Sequence, residues 1–222
     1  MPRRKVALGL VPIVEAAAAS LDDDPAAERL LDIAAGLMGR YGLRRWNMED
    51  VADGANVGRT TVYRLFGSRE GLVHSVLARE LRETIASIHG ASIAKRRMED
   101  GIIEGALVGL AALRGSLVEK LLREDPTTIL PFLTTEAGPL VALTRQLLST
   151  QLLAAGAKIE PEFAAELAEV AARLGLSFIL TRGTTFPVED DDALRTSLRR
   201  LLRPVLAPLF QSQARARRVT TG

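Results

Sequence analysis

A short segment of the chain concentrates side chains that can donate hydrogen bonds: Arg59, Thr60, Thr61, Tyr63 and Arg64. Arginine and threonine side chains reach base edges and phosphates, and a tyrosine hydroxyl can donate to a phosphate. Residues 40–69 contain six arginines against three acids, a local excess of three positive charges. These residue types favour recognition of DNA.

Two short helices joined by a turn must position this segment. Asn56 stands between them and is among the few residues other than glycine that readily enter the left-handed backbone region. Ala52, four residues earlier, keeps the first helix slim where the second crosses it. The apolar residues recur at helical spacing: Val51, Ala52 and Ala55 in the first helix, and Val62, Leu65 and Phe66 in the second. The pattern predicts a helix-turn-helix.

The predicted helix caps agree with this arrangement. Asn47 is a favourable N-cap for the first helix, and Glu49 and Asp50 lie in its first turn, where the helix dipole favours acids. Gly58 opens the second helix. Arg69 lies in the first turn of the helix that follows, so Asn47 and Arg69 are both predicted to contact phosphates.

The run VADGANVGRTTVYRLFGSREGL resembles the DNA-binding signature of the TetR family of transcriptional regulators. The positions that carry the resemblance are Val51-Ala52, Ala55-Asn56-Val57, Tyr63, Phe66, Arg69 and Leu72. Asn56 stands where the family has glycine, and Gly58 stands where it usually has serine. The resemblance implies a homodimer, a palindromic double-stranded operator, and an effector pocket in the helical body.

Composition and pattern predict an all-α chain with an N-terminal three-helix helix-turn-helix head and a helical ligand-binding and dimerisation body. Alanine and leucine dominate and aromatic residues are only 4% of the 222 residues, which favours helices over sheets. Pro204 and Pro208 are expected to kink or split the last helix. The predicted divisions are an extension (1–24), the DNA-binding head (25–69), the body (70–210) and a disordered basic tail (211–222).

No group of residues predicts catalysis, a metal site or a cofactor. The chain lacks cysteine, and its two histidines have no partner at metal-ligand spacing. No paired carboxylates or nucleophile–histidine set stand at a useful spacing. We therefore expect that the protein is not an enzyme. The formal net charge of +2 is too small for indiscriminate binding to nucleic acid, so basic character must act locally.

The last two long helices are apolar on more than one face, which predicts burial on two sides. One side can face the body, and the other can pair with a second subunit in a four-helix bundle. Burial of both faces inside one chain is the alternative. The predicted dimer interface contains Ala164, Ala168, Ala172, Gly175, Leu194, Leu198 and Leu201.

The body is predicted to bind a small apolar or amphipathic effector in a mainly apolar cavity. Candidate pocket residues are Phe132, Gln146, Arg173 and Phe178. The resulting hypothesis is a cytoplasmic homodimeric repressor, without membrane partners, that its effector releases from the operator. Two alternatives are a regulator that senses no effector, whether constitutive or activating, and a helical enzyme that uses the body cavity.

Overall fold

The structure is a computed structural model that describes Val11, Ile13 and residues 24–154, 159–181 and 185–219. Helices are the only regular structure among these residues, which confirms the all-α prediction. The predicted N-terminal extension lies outside the described residues except for Val11, Ile13 and Asp24. The extension is predicted to be a short helix or a flexible arm, and this stays a prediction.

The described residues form ten helices, named here α1 to α10 in chain order. They are α1 Pro25–Tyr41, α2 Met48–Ala55, α3 Arg59–Phe66, α4 Arg69–Ile93, α5 Met98–Ala112, α6 Leu117–Glu124, α7 Pro126–Leu133, α8 Gly138–Ala154, α9 Pro161–Leu180 and α10 Asp191–Val219. The chain divides into a first unit, Met1–Glu83 with Gly115–Pro139, and a second unit, Thr84–Arg114 with Leu140–Gly222. This division places α6 and α7 with the helix-turn-helix, whereas the prediction assigned residues 70–210 to the body.

Helix α1 begins after an aspartate N-cap and ends at a glycine, as its sequence predicts. The Asp24 carboxylate accepts a hydrogen bond from the Ala26 amide at 2.9 Å, and Pro25 occupies the first helical position, where no amide donor is needed. Gly42, at φ +69°, ends the helix, and its amide donates to the Met38 carbonyl. The helix buries an apolar face made of Leu30, Leu31, Ala34 and Met38.

Arginine side chains link helices of the first unit that are distant in sequence. Arg79 of α4 is buried and pairs with two acids of α1, at 3.0 Å from Glu28 and 2.8 Å from Asp32. In the α1–α2 loop, Arg44 donates to the Thr128 hydroxyl at 2.8 Å, and Arg45 pairs with Glu124 at 3.1 Å. Helix α6 also packs along α1. The helix-turn-helix is thus supported by a segment distant in sequence.

The core of the second unit lies between α5 and α10. Its buried members are Ile103, Leu107, Leu194, Leu198 and Leu206. The buried carboxylate of Glu104 accepts a hydrogen bond from Arg195 Nε at 3.0 Å, which compensates its removal from water. Apolar burial and this charged bond together fix α10 against α5.

The C-terminal half of α4 approaches α5 so closely that glycine is required. A Cβ on Gly101 would lie 2.5 Å from the Ser92 carbonyl oxygen, and one on Gly105 would lie 2.3 Å from the Ser92 hydroxyl oxygen. The hydroxyl itself is held by the Ile88 carbonyl at 2.9 Å. A side chain at Gly101 would force the helices apart because the close atom belongs to the backbone, whereas at Gly105 the Ser92 hydroxyl would first have to leave the Ile88 carbonyl.

The structure contradicts a split of the last helix at its prolines, and it extends that helix into the predicted tail. Pro204 and Pro208 lie inside the single helix α10 and do not split it. They are four residues apart and both exposed, so water can satisfy the carbonyls they leave unpaired. The same helix continues to Val219, so residues 211–219 are helical and not a disordered tail; their Gln, Ala and Arg residues are good helix formers.

One stretch, Glu99–Glu124, is long and apolar enough by composition to cross a membrane, with a mean hydropathy of 1.5. In the structure it is divided between α5 and α6, with Gly115 at φ +71° between them. A membrane-spanning helix needs about 20 continuous residues. Neither helix has that length, and Ile103 and Leu107 are buried against α10.

Candidate functional site

The turn between α2 and α3 has the predicted backbone. Asn56 adopts φ 55° and ψ 46°, in the left-handed region. Its amide donates to the Asp53 carbonyl at 3.1 Å, and the Val57 amide donates to the Ala52 carbonyl at 3.0 Å. The chain therefore reverses direction immediately after α2 with its carbonyls satisfied.

A reciprocal capping box opens α2. The Asn47 side-chain oxygen accepts hydrogen bonds from the Glu49 amide at 2.8 Å and the Asp50 amide at 3.1 Å. The Asp50 carboxylate accepts the Asn47 amide at 2.7 Å. The N-cap prediction for Asn47 is confirmed. Since its oxygen serves the cap, only the side-chain amide group of Asn47 could donate to a phosphate.

Helix α3 presents the predicted polar face. Val62 is fully buried beneath the helix, and α3 packs on α2. Four of the predicted contact residues on α3 are exposed and Thr61 is half-buried. Gly58, also predicted as a contact, is exposed at the N-cap, where a side-chain cap is absent. The exposed residues of α3 are Arg59, Thr60, Tyr63 and Arg64.

Arg59 is held by groups on two helices. Its guanidinium carbon lies 5.4 Å from the centre of the Tyr63 ring, and Nη2 donates to the Tyr63 hydroxyl at 3.5 Å. Nη1 lies 3.8 Å from Glu49 Oε2 on α2. The hydrogen bond with Tyr63, and then the charge of Glu49, raise the pKa of the Arg59 guanidinium above its ordinary value. Arg59 stays charged at every relevant pH.

Arg69 supports the helix-turn-helix from inside, which the phosphate prediction did not foresee. Its Nε donates to the Trp46 carbonyl at 3.1 Å, and its Nη2 donates to the Leu43 carbonyl. The guanidinium also lies 4.2 Å from the centre of the Trp46 ring, and burial lowers its pKa. Its main contacts therefore join α4 to the loop before α2.

We expect Arg69→Ala to lower the free energy of unfolding by roughly 2–3 kcal/mol, because it leaves two carbonyls without their charged donor and removes the stacking on Trp46. Denaturant unfolding of the purified protein measures this. Arg64→Ala is the matched control, since Arg64 is exposed and should change stability by less than about 0.5 kcal/mol. Equal stability of both variants would contradict the supporting role of Arg69.

Five of the predicted interface residues face the interior of their own chain. Ala164 and Ala168 are 0% and 1% exposed. Leu194 and Leu198 belong to the core of the second unit, and Ala172 is buried. The prediction chose the wrong face because small residues permit close packing equally well within a chain and between chains. Gly175 is half-buried, with open space where a Cβ would stand.

A different apolar face is exposed on α9 and α10. Val170 and Leu174 are 55% and 54% exposed, and Leu201 and Val205 are 53% and 56% exposed. Phe163 is exposed seven residues before Val170, on the same face of α9. Of the predicted interface, only Leu201 lies on this surface, which is called the exposed apolar face below.

The four predicted pocket residues are divided between the two units, and Phe178 alone among them lines the cavity described below. Phe132 is half-buried in the first unit, whereas Gln146 and Arg173 are exposed in the second. Arg173 is engaged by Glu169, to which its Nη2 donates at 2.6 Å. Polarity alone indicated Gln146 and Arg173, and an i, i+4 ion pair explains the position of Arg173 on the helix surface.

Phe178 does border a cavity, but a small one. Its ring stacks on Phe186 with centroids 4.9 Å apart. The cavity beside it has a volume of about 10 Å³, near the space that one water occupies. Its lining residues are Leu110, Leu113, Arg114, Phe178, Val188 and Glu189. A cavity of this size cannot hold an effector unless the residues that line it move apart.

Sequence reasoning missed Glu49, Trp46 and Phe186 as site residues. Glu49 was assigned to the helix dipole, and Trp46 to packing before the cap. Phe186 was one of only six phenylalanines, and its position next to Pro187, between two long helices, was the available signal. The contact of Glu49 with α3 depends on the crossing of two helices, which spacing along one helix does not reveal.

Comparisons with known proteins agree with the helix-turn-helix geometry. Residues 30–76 match the family model described as "Bacterial regulatory proteins, tetR family". Residues 99–204 match the model described as "Bacterial Tetracyclin repressor, C-terminal domain". No curated protein matches the sequence.

Among solved structures, the chain is similar to the TetR family repressor AlkX from Dietzia sp. strain DQ12-45-1b, which is implicated in biodegradation of n-alkanes. The two share 26% identity with a TM-score of 0.62, covering 82% of this chain and 97% of AlkX. GusR of Salmonella enterica shares 19% identity with a TM-score of 0.46, covering 82% of this chain and 98% of GusR.

Proposed function

Since this chain belongs to the TetR family of DNA-binding transcriptional regulators, we propose that it is a homodimeric repressor that a small apolar or amphipathic effector releases from a palindromic operator. The observation that carries the proposal is the exposed polar face of α3, fixed over buried Val62 by the Asn56 turn. Family membership points to a regulator that is not an enzyme. We place it in the cytoplasm, with its DNA.

DNA recognition is assigned to the exposed face of α3. In helix-turn-helix proteins the second helix enters the major groove, with residues near its N-terminus at base edges. Arg59 begins α3, and Arg64 follows on the same exposed surface. Asn47, Gly58, Thr60, Thr61 and Tyr63 are proposed as phosphate or backbone contacts around them. For Arg69 we propose at most a secondary phosphate contact. It would use the guanidinium N–H groups that do not donate to the Trp46 and Leu43 carbonyls.

We expect Arg64→Ala to weaken operator binding by roughly 1–3 kcal/mol if Arg64 makes a bidentate base contact. The operator is first selected from a pool of duplexes with roughly 30 randomised base pairs, long enough for two half-sites one helical turn apart. Titration of the selected duplex compares the variant with the parent. Unchanged affinity would remove the base contact, and failure of the parent to enrich any sequence would contradict the proposed function itself.

Dimerisation is assigned to the exposed apolar face. Two recognition helices must enter successive major grooves about 34 Å apart, which requires two protomers in a fixed arrangement. Several large apolar side chains exposed on α9 and α10 are the kind of surface that a partner covers. Two helices from each protomer would form a four-helix bundle, as the sequence predicted, but through Phe163, Val170, Leu174, Leu201 and Val205.

The effector site is proposed at the cavity beside Phe178. Its walls are apolar apart from Arg114 and Glu189, and the n-alkane connection of AlkX fits an apolar effector class. Binding that opened the Phe178–Phe186 stack would make occupied and empty states differ in the packing between α9 and the segment that carries Phe186. Such a difference is what allows an effector to favour one state over another.

We expect operator DNA to weaken effector binding by the factor by which effector weakens operator binding, typically 5- to 150-fold. Calorimetric titrations with n-alkanes and 1-alkanols, in the presence and absence of the selected duplex, measure the coupling. Phe178→Ala should alter effector affinity and leave operator affinity without effector near the parental value. If an alkanol binds equally well with and without operator, release by that effector is wrong, whatever the DNA affinity.

A further inference from the structure

One acidic side chain of α2 reaches the outward face of α3. Of the three acids in this helix, Asp50 is engaged in the capping box, and Asp53 is exposed without a contact to α3 among the described residues. Glu49 instead extends its carboxylate to within 3.8 Å of Arg59 Nη1. A negative charge therefore stands on the surface where the proposed function places DNA, beside the first residue of the recognition helix.

Glu49 and Tyr63 contact Arg59 but leave several of its N–H donors unpaired. A guanidinium has five N–H groups. The contacts with Glu49 and with the Tyr63 hydroxyl engage Nη1 and Nη2, one partner each, while the ring lies under the guanidinium. At least three N–H groups stay available to a base edge. These contacts favour one orientation of the side chain before DNA binds, and such a preference reduces the entropy lost on binding.

We propose that Glu49 is a specificity-determining residue, which holds Arg59 for base contact and keeps it from serving as an unspecific phosphate ligand. This inference rests on the proposed DNA-binding function and adds a role for an acid that the function did not require. Because Arg59 is positively charged, an unrestrained side chain would bind any nearby phosphate, and phosphate contacts carry no sequence information.

The effect of Glu49 should differ between operator and other DNA. On the operator, Arg59 contacts a base edge and can keep its ion pair with Glu49. On other sequences Arg59 would have to leave Glu49 to reach a phosphate, and the bare carboxylate would then lie near the negatively charged duplex. Like charges brought together disfavour the wrong partner more than the right one.

The test compares Glu49→Gln with the parent on the selected operator and on a scrambled duplex of equal length. Glutamine keeps the shape of the side chain and removes its charge. We expect affinity for the scrambled duplex to rise about threefold to tenfold and operator affinity to stay within about twofold of the parent. The ratio of operator affinity to scrambled-duplex affinity should therefore fall. The salt dependence on scrambled DNA should steepen by about 0.9 in the logarithmic slope, as for one additional phosphate contact.

Asp53→Asn is the matched control, since it removes one negative charge from the same exposed helix without touching Arg59. It should leave the ratio and the salt slope near the parental values. In an Arg59→Ala background, Glu49→Gln should leave the ratio of the two affinities unchanged, because the carboxylate is then unpaired on both duplexes. Circular dichroism of each variant checks that α2 and α3 still fold.

The possible outcomes distinguish failure of this inference from failure of the proposed DNA-binding function. The inference is supported if Glu49→Gln lowers the ratio of operator affinity to scrambled-duplex affinity, and if the same substitution does not lower it in the Arg59→Ala background. Equal changes in Glu49→Gln and Asp53→Asn would show a general charge effect and overturn it, as would an unchanged ratio. If the parent protein selects no operator from the randomised pool, the proposed function fails instead.

Discussion

Gly71→Ala is expected to abolish tight operator binding, by at least about 100-fold, and to lower the free energy of unfolding by roughly 2–3 kcal/mol. A Cβ at this position would lie 2.2 Å from the Phe66 carbonyl oxygen and 3.4 Å from its carbonyl carbon. These are main-chain atoms of the last residue of α3, so no rotamer change can relieve the clash. The recognition helix would have to move relative to α4.

Gly36→Ala is the matched control for this substitution. Gly36 lies in α1 and a Cβ there would meet nothing within 4 Å. Alanine should therefore keep operator affinity and raise stability by up to about 1 kcal/mol, because it is the better helix former. Denaturant unfolding and operator titration of both variants measure the contrast. Parental affinity in Gly71→Ala would show that α3 tolerates displacement, contrary to the geometry described above.

Leu174→Glu is expected to convert the proposed dimer into a monomer of 23.9 kDa and to weaken operator binding by about 100-fold or more. The side chain is 54% exposed in the single chain, so glutamate can be accommodated without unfolding it. In a dimer, the same carboxylate would be buried in an apolar interface without a partner. Sedimentation equilibrium and operator titration measure mass and affinity.

Leu130→Glu introduces the same change at another exposed leucine, in α7 of the first unit. We expect this control to stay dimeric. A dimer in Leu174→Glu would exclude the exposed apolar face as the interface. Ala168→Arg is not a useful probe, since Ala168 is buried within its own chain and the variant would unfold before it reported on assembly.

The helix-turn-helix could be predicted from sequence because its determinants are local. The cap at Asn47, the left-handed Asn56 and the apolar residues of α2 each depend on neighbours within one or two helical turns. Backbone geometry and helical period fix such features without reference to the rest of the chain. The predicted exposure of Arg59 and Arg64 follows from the same period once Val62 is buried.

The choice between two apolar faces of one helix could not be predicted in this way. In α9 the alanines at 164, 168 and 172 and the large residues Val170 and Leu174 both recur at helical spacing. Periodicity identifies two stripes but does not state which neighbour each one meets. The answer depends on which elements pack against α9, and that is a property of the tertiary packing.

Two further features depend on contacts between segments that are distant in sequence or cross closely. The donors of Arg69 end on carbonyls 23 and 26 residues earlier in the chain. The requirement for glycine at position 71 arises from a tight crossing after α3, and nothing in its immediate sequence distinguishes it from the open Gly36. Neither the contacts of Arg69 nor the requirement for glycine at position 71 can be inferred without the positions of the helices.

The α5–α10 core also sets the order in which the chain can fold during its synthesis. Ile103 and Leu107 find their partners only when Leu194 and Leu198 have been made, roughly 90 residues later. At bacterial rates of about 5–20 residues per second, the apolar helix α5 waits on the order of 5–20 s before its partner helix has been made. During that interval the nascent chain displays a surface that chaperones bind, and yields of folded protein should depend on how quickly the last helix is translated.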